Sequence, residues 1–269
     1  MDKNEAMATA LQVFAKHYPS GAGESNHEVS TKVKEAVYKL FPTNDPEIEV
    51  KKKSNEVALA LLPEVERMVR ESKNPFHTAL LASVVGNVLD FGIKGSASSP
   101  EHLLELFHEL FENGLYRDDS GQIKERIQEA DTVLYITDNA GEIVFDKLLI
   151  QEIQKLGTKV TLMVRGEPIL NDATMIDVRE LGLEKVADRV MTTGCFGIGI
   201  VFSRIPDDVR NTIMNAELII AKGMGNYESF ADMELPPTAF LMRTKCQPVA
   251  DDIGFPYGEN IAYLRENEK

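Results

Sequence analysis

From Asp131 onward the chain alternates between short runs of apolar, often β-branched residues and longer stretches whose apolar positions recur three and four apart. The runs Val133–Thr137, Lys159–Val164, Val190–Thr193, Glu217–Lys222 and Ala239–Met242 read as buried strands. Between and after them, Ile143–Leu156, Asp172–Leu181, Asp207–Asn215, Tyr227–Met233 and Thr244–Ile253 read as helical segments. Strand and helix in turn at this spacing predict an α/β fold, a parallel sheet wrapped by helices. A last run, Asn260–Leu264, predicts an extra edge strand.

Upstream the period is helical. Glu5–His17, Glu28–Leu40, Asp45–Ser72 and Pro100–Asn113 carry apolar residues at helical spacing, punctuated by the Pro and Gly clusters at 18–23 and 92–100. Asn44-Asp45-Pro46 predicts a helix entry with Asp45 as N-cap and Pro46 at the first helical position. Lys51-Lys52-Lys53 predicts a solvated helix face. Thr78–Asp90 is almost wholly apolar and small, so it should be the buried helix of this half. Asn87 and Asp90 stand at its end. An Asp in apolar company is costly unless it is paired or faces a ligand, and a helix cap explains it equally well. The change of pattern divides the chain into a helical part, residues 1–125, and an α/β part, residues 126–269, with no flexible linker between them.

Composition narrows the function classes. The 269 residues include 43% hydrophobic ones, enough for a sizeable core. A net charge of −14 disfavours nucleic acid and anionic membranes as partners, and no apolar stretch is long enough to span a bilayer. The opening MDKNEAMATALQVF lacks the basic head and long apolar run of a signal peptide. Two distant cysteines, Cys195 and Cys246, suit a reducing cytoplasm rather than a disulfide framework or a zinc site. The expected location is therefore cytoplasmic.

The chemistry gathers where the strands end. In Asp131–Asp146 (DTVLYITDNAGEIVFD) a strand runs into Asp138-Asn139-Ala140-Gly141-Glu142 and a helix follows. Open α/β sheets bind ligands at such strand ends. If the strands are parallel, one rim collects Asp138, Asn139 and Glu142; Arg165, Gly166, Glu167 and Asn171-Asp172-Ala173-Thr174; Thr193-Gly194-Cys195 with the glycines after it; and Lys222-Gly223-Met224-Gly225-Asn226. Asp138, Asn139 and Asp172 offer hard oxygens to a divalent cation. Thr193 and Gly194 can present backbone N–H groups to a phosphate. Lys222 puts a positive charge at the end of a buried strand, where lysine is uncommon. Asp172 could instead only cap the helix it opens, and Asp146 and Asp177 read as solvent-facing or turn-capping. Cys195 reads as a structural thiol, and His17, His27, His77, His102 and His108 lack metal-ligand spacing.

Taken in order, the stretches 138–142, 166–174 (GEPILNDAT) and 222–228 (KGMGNYE) resemble the damage-control phosphatases, in particular their stand-alone archaeal-type subfamily. Residues 86–90 and the stretch from Asp45 to Asn55 fit as well, so the resemblance covers most of the chain from about Asp45 onward. It implies a Rossmann-like α/β/α sandwich with a mostly parallel sheet plus a helical N-terminal part. It implies a metal-dependent phosphatase acting on small phosphorylated metabolites, such as sugar phosphates or damaged cofactor phosphates, with Mg²⁺, Mn²⁺, Co²⁺ or Ni²⁺ as cofactor. By motif match the metal ligands are Asp138, Asn139 and Asp172, and the phosphate-contacting lysine is Lys222. Asn87, Asp90, Glu142, Thr193, Gly194 and Asn226 join them as expected substrate-binding residues. Members of the subfamily usually carry a C-x-x-C pair near the N-terminus; Met1–Lys16 holds no cysteine.

Three readings follow. The first is a metal-dependent phosphomonoesterase, either through a phospho-aspartyl intermediate on Asp138 or by direct attack of water. The second is an S-adenosylmethionine-dependent carboxyl methyltransferase. The third is a module that binds a phosphorylated ligand without hydrolysing it. Substrate and oligomeric state are not written in the sequence.

Overall fold

The structure is a computed structural model that describes residues 3–17, 26–89 and 100–266. The helices of the first part are α1 (Lys3–His17), α2 (Asn26–Tyr38), α3 (Ile48–Glu71), α4 (Pro75–Val85), which continues as a 3-10 turn over Gly86–Leu89, and α5 (Pro100–Asn113). A two-residue strand, β1 (Arg117–Asp118), and α6 (Ser120–Glu129) lead into the alternating half: β2 (Thr132–Ile136), α7 (Glu142–Lys155), β3 (Lys159–Val164), α8 (Met175–Glu180), β4 (Arg189–Thr192), α9 (Asp207–Met214), β5 (Leu218–Lys222), α10 (Gly223–Phe230), β6 (Thr238–Arg243), α11 (Gln247–Ile253) and β7 (Asn260–Arg265).

The strands form one seven-stranded sheet in the order β1-β7-β6-β5-β2-β3-β4. All neighbours pair in parallel except β6 with β7. The run at Asn260–Leu264 is therefore not at the edge. It lies between β6 and β1, antiparallel to the first and parallel to the second. Alternate residues of each strand serve opposite faces. Val133 and Tyr135 of β2 join one apolar cluster with α3 to α8, whereas Leu134 and Ile136 join another with α9, α10 and α11. Helices thus cover both faces of the sheet, the α/β/α sandwich with its helical N-terminal part. The first cluster runs without a break from Val57 to Leu264, and the division expected at 125/126 falls inside α6.

Two details of the helical part differ from the sequence expectation. Helix α3 begins at Ile48 with Glu47 at its N-cap, so Asp45 is not the cap. Asp45 instead accepts the Glu47 N–H at 3.1 Å and forms an ion pair with Lys51. That pair takes Lys51 out of the expected solvated run: Lys51 is buried, while Lys52 and Lys53 remain exposed. Among the described residues no helix is long and apolar enough to cross a membrane.

Candidate active site

The strand order reverses direction at β2, which has β5 on one side and β3 on the other. Two βα connections diverge there and leave a crevice beyond the strand ends. Residues Asp138–Gly141 cross this crevice. Gly141, with φ of 80°, makes the sharp entry into α7, and its N–H donates to the Asn55 side-chain oxygen of α3 at 2.7 Å. The buried Asn55 donates in turn to Asp177 at 2.9 Å, so α3 ties the loop before α7 to the first turn of α8.

The connection after β3 folds back over the same edge. Ala173 N–H donates to the Asp138 carbonyl at 2.8 Å and Ala140 N–H to the Asn171 carbonyl at 2.9 Å, which sets Asp172 opposite Asn139. Helix α8 is capped by Thr174, whose side chain accepts from the backbone while Asp177 accepts from Thr174 N–H at 2.8 Å. Thr174 therefore does the capping that Asp172 could have done. The Asp172 carboxylate receives the Arg165 Nε at 2.5 Å. Arg165 is buried, and its two other nitrogens donate to the Gly199 carbonyl and the Asn226 side-chain oxygen, each at 3.0 Å.

Asp138 sits at the centre. Its Oδ2 accepts from the side-chain amides of Asn139 at 2.8 Å and Asn87 at 3.1 Å. Both amides also donate to Glu142 Oε2, at 3.3 and 2.6 Å. Gly223 makes this approach possible. Its φ is 76°, and a Cβ there would lie 2.0 Å from Asp138 Oδ2. Burial, then the charges of Glu142 and Asp172, push the Asp138 carboxyl well above the usual carboxylate range, against the pull of Arg165 and Lys245.

A cavity of about 340 Å³ opens over these groups, lined by Asp138, Asn139, Asp172 and Asn87 together with Lys34 of α2 and Lys245 just beyond β6. Lys245 is half-buried and donates to the Asn87 carbonyl at 2.7 Å. Neither lysine was singled out by sequence reasoning. Lys245 could have been found, because it stands just past the end of β6 much as Lys222 stands at the end of β5; Lys34 carries no such mark. Helix α2 reaches the sheet edge through contacts that include Ile198 N–H to Thr31 Oγ1 at 3.1 Å, Leu170 N–H to the Tyr38 hydroxyl at 2.9 Å, Ser203 Oγ to Glu28 at 2.8 Å and Arg204 to Glu35 at 2.9 Å.

Other expected residues lie elsewhere. Lys222 is fully buried below the cavity, and its ammonium donates to the Ser83 carbonyl at 3.0 Å, Glu142 Oε1 at 2.5 Å and Asp146 Oδ1 at 2.7 Å. Burial alone would lower its pKa, but Asp146 and Glu142 outweigh it and hold the ammonium above the ordinary lysine value. Asp146, expected at the surface, is instead fully buried, because it lies one helical turn after Glu142 on the inner face of α7. It also accepts from Ser83 and the Tyr135 hydroxyl, both at 2.8 Å.

The expectation that Thr193 and Gly194 offer N–H groups to a phosphate is corrected. Thr193 N–H donates to the Val164 carbonyl at 2.9 Å and Gly194 N–H to Thr192 Oγ1 at 3.2 Å, and neither residue lines the cavity. Asn226 is buried as a pin between elements, its Nδ2 donating to the carbonyls of Thr137 at 3.1 Å and Lys222 at 2.6 Å. Glu142 lies behind Asn87 and Asn139 and acts on the cavity through them. Asp90 lies outside the described residues. Burial raises the Cys195 thiol, in keeping with a structural role.

The donor set fits a hard divalent cation. Asp138, Asp172 and Asn139 share the lining of one small cavity with Glu47, and the unfavourable crowding of carboxylates around Asp138 is what a cation would relieve. Among the described residues no three Asp, Glu, His or Cys side chains could enclose a metal by themselves, so an amide such as that of Asn139 has to complete the set.

Residues 2–261 match the damage-control phosphatase ARMT1-like domain. A damage-control phosphatase of Archaeoglobus fulgidus is 40% identical over 263 residues, 98% of this chain and 90% of its own length. A damage-control phosphatase of Pyrococcus horikoshii is 33% identical over 257 residues, 95% of this chain and 86% of its own. The crystal structure of a DUF89 family protein from Pyrococcus horikoshii superposes with a TM-score of 0.84 at 32% identity, covering 98% of this chain and 90% of that one.

Proposed function

The chain belongs to the family defined by the damage-control phosphatase ARMT1-like domain, and from that premise we propose that it is a metal-dependent phosphatase of small phosphorylated metabolites. The observation that carries the reading is the cavity at the β2/β5 crevice, where Asp138, Asp172, Glu47 and the two lysines line one space. Asp138, Asn139 and Asp172 would hold the cation. Their oxygen ligands suit Mg²⁺ or Mn²⁺, and the family resemblance extends the range to Co²⁺ and Ni²⁺. When bound, the metal supplies Lewis acidity to a phosphoryl oxygen and makes a water more acidic.

The protein's own groups do the rest. Lys245 and Lys34 provide positive charge for phosphoryl oxygens in an otherwise acidic molecule. Arg165 fixes Asp172 in the cavity wall by a charge-assisted hydrogen bond. Asn87 and Asn139 occupy Asp138 Oδ2, which leaves Oδ1 as the atom for a ligand. A cavity of about 340 Å³ accommodates one small metabolite. The names of the relatives support damaged or unwanted metabolite phosphates as its substrates.

Phosphate release from para-nitrophenyl phosphate and a panel of sugar phosphates tests this, using protein stripped with chelator and reloaded with a single metal. The expected result is metal-dependent release that falls at least about a hundredfold in Asp138→Ala and Asp172→Ala. Folded wild-type protein that releases no phosphate with Mg²⁺, Mn²⁺, Co²⁺ or Ni²⁺ would overturn the reading.

A further inference from the structure

We infer that Lys222 is a positioning residue: it fixes the Asp138 carboxylate through Glu142 and does not touch the substrate's phosphate. The inference rests on the metal-site reading above. An ammonium has three hydrogens to donate, and those of Lys222 go to Ser83, Glu142 and Asp146. None remains for a phosphoryl oxygen, and the side chain is sealed from solvent. To reach the cavity, Lys222 would have to leave two buried carboxylates without their cation.

What Lys222 does reach is a relay toward the metal ligand. It holds Glu142 Oε1; Glu142 Oε2 accepts the amides of Asn87 and Asn139; both amides donate to Asp138 Oδ2. Each link fixes the next. Lys222 fixes the Glu142 carboxylate, Glu142 Oε2 turns both amides N–H side inward, and the amides set the rotation of the Asp138 carboxylate. Groups that orient metal ligands in this way change metal affinity when they are removed. The cations on the cavity wall are Lys34 and Lys245, so phosphate recognition does not need Lys222.

The two roles predict opposite results in calorimetry. Mn²⁺ is titrated into chelator-stripped wild type, K222M, E142Q and K222M/E142Q, and inorganic phosphate is then titrated into each at saturating Mn²⁺. As a positioning residue, Lys222 is expected to show a ten- to hundredfold weaker metal affinity in K222M, with phosphate affinity within about threefold of wild type. K222M/E142Q is expected to bind metal no more weakly than E142Q does, because both changes cut one relay. This double variant removes Lys222 together with one of its two carboxylate partners, and Asp146 retains the hydrogen bonds of Ser83 and Tyr135, so it keeps the test readable where K222M alone does not fold. A variant that retains metal affinity but loses phosphate affinity tenfold or more, whether K222M against wild type or K222M/E142Q against E142Q, would overturn the inference alone. Wild-type protein that binds no divalent cation would overturn the metal-site reading and the inference with it.

Discussion

Lys222 ends one strand and Lys245 follows its neighbour at the same edge of the sheet, yet they live in different dielectric worlds. Lys245 sits half-buried on the cavity wall with one hydrogen bond to the Asn87 carbonyl. Lys222 lies beneath, without solvent, between Glu142 and Asp146. The floor must balance its charges internally, because an uncompensated ion there has no water to turn to. The wall need not, because water or an incoming ligand can complete it. A charge available for binding is therefore found at the wall, and a charge that shapes the wall is found in the floor.

Stability separates the two most widely. Removing the ammonium of Lys222 leaves two buried carboxylates unpaired, so Lys222→Met is expected to cost about 3–5 kcal/mol. Lys245→Met is expected to cost about 1 kcal/mol, the loss of one hydrogen bond from a half-buried side chain. Urea unfolding of the metal-free proteins checks both values, and equal losses would erase the distinction between floor and wall.

Gly223 lies at the boundary between the two regions. Alanine there would take a left-handed backbone conformation and bring its Cβ against the Asp138 carboxylate. We expect Gly223→Ala to lose about 1–2 kcal/mol from the backbone alone and to weaken metal binding as Asp138 is displaced. Thermal melts with and without Mn²⁺ measure both, and the stabilisation by metal should shrink more than the metal-free stability does.

On the wall itself the expected effect is on binding. Lys245→Met should weaken inorganic phosphate binding about tenfold, the equivalent of ~1.4 kcal/mol, while metal affinity stays near that of wild type. A Lys245 variant that lost metal rather than phosphate would exchange the roles of the two lysines.

These contrasts also explain what the chain reveals before it is folded. The strands are legible because each is a compact apolar run, and β3 falls on the expected residues, Lys159–Val164. Asp138, Asn139 and Asp172 are legible because hard oxygens that follow the strands of a parallel sheet share one rim, and the structure brings the three together. Thr193 and Gly194 misled because a sequence does not state strand order. They follow β4, two strands away from β2 and at the edge of the sheet, so their turn closes on itself. Lys222 stood out correctly as an unusual residue, but its partners were hidden. Asp146 looks like any polar position of an amphipathic helix until α4 packs over it. Lys34 was beyond reach, since only the docking of α2 on the loops at Leu170 and Ile198 brings it to the site.

The smallest effect comes from a pair that belongs to neither region. Asp118 and His77 meet at 3.0 Å near the protein surface, each partly exposed. Burial would raise the Asp118 carboxyl, but hydrogen bonds from Ser120 and the charge and hydrogen bond of His77 outweigh it and hold the carboxyl below its ordinary value. A depressed folded-state pKa means that the unfolded chain takes up the proton first. The stability this pair contributes is therefore fully present above the unfolded-state value of about 3.9 and is lost as pH falls through the folded-state value. Solvent screening keeps the gain small, so Asp118→Asn should cost less than about 1 kcal/mol at pH 7. The gap between wild type and variant should close as unfolding is repeated at pH 4 and below. A gap of several kcal/mol, as large as that expected for Lys222→Met, would mean that exposure does not set the worth of a charge in this protein, and the contrast between floor and wall would lose its physical basis.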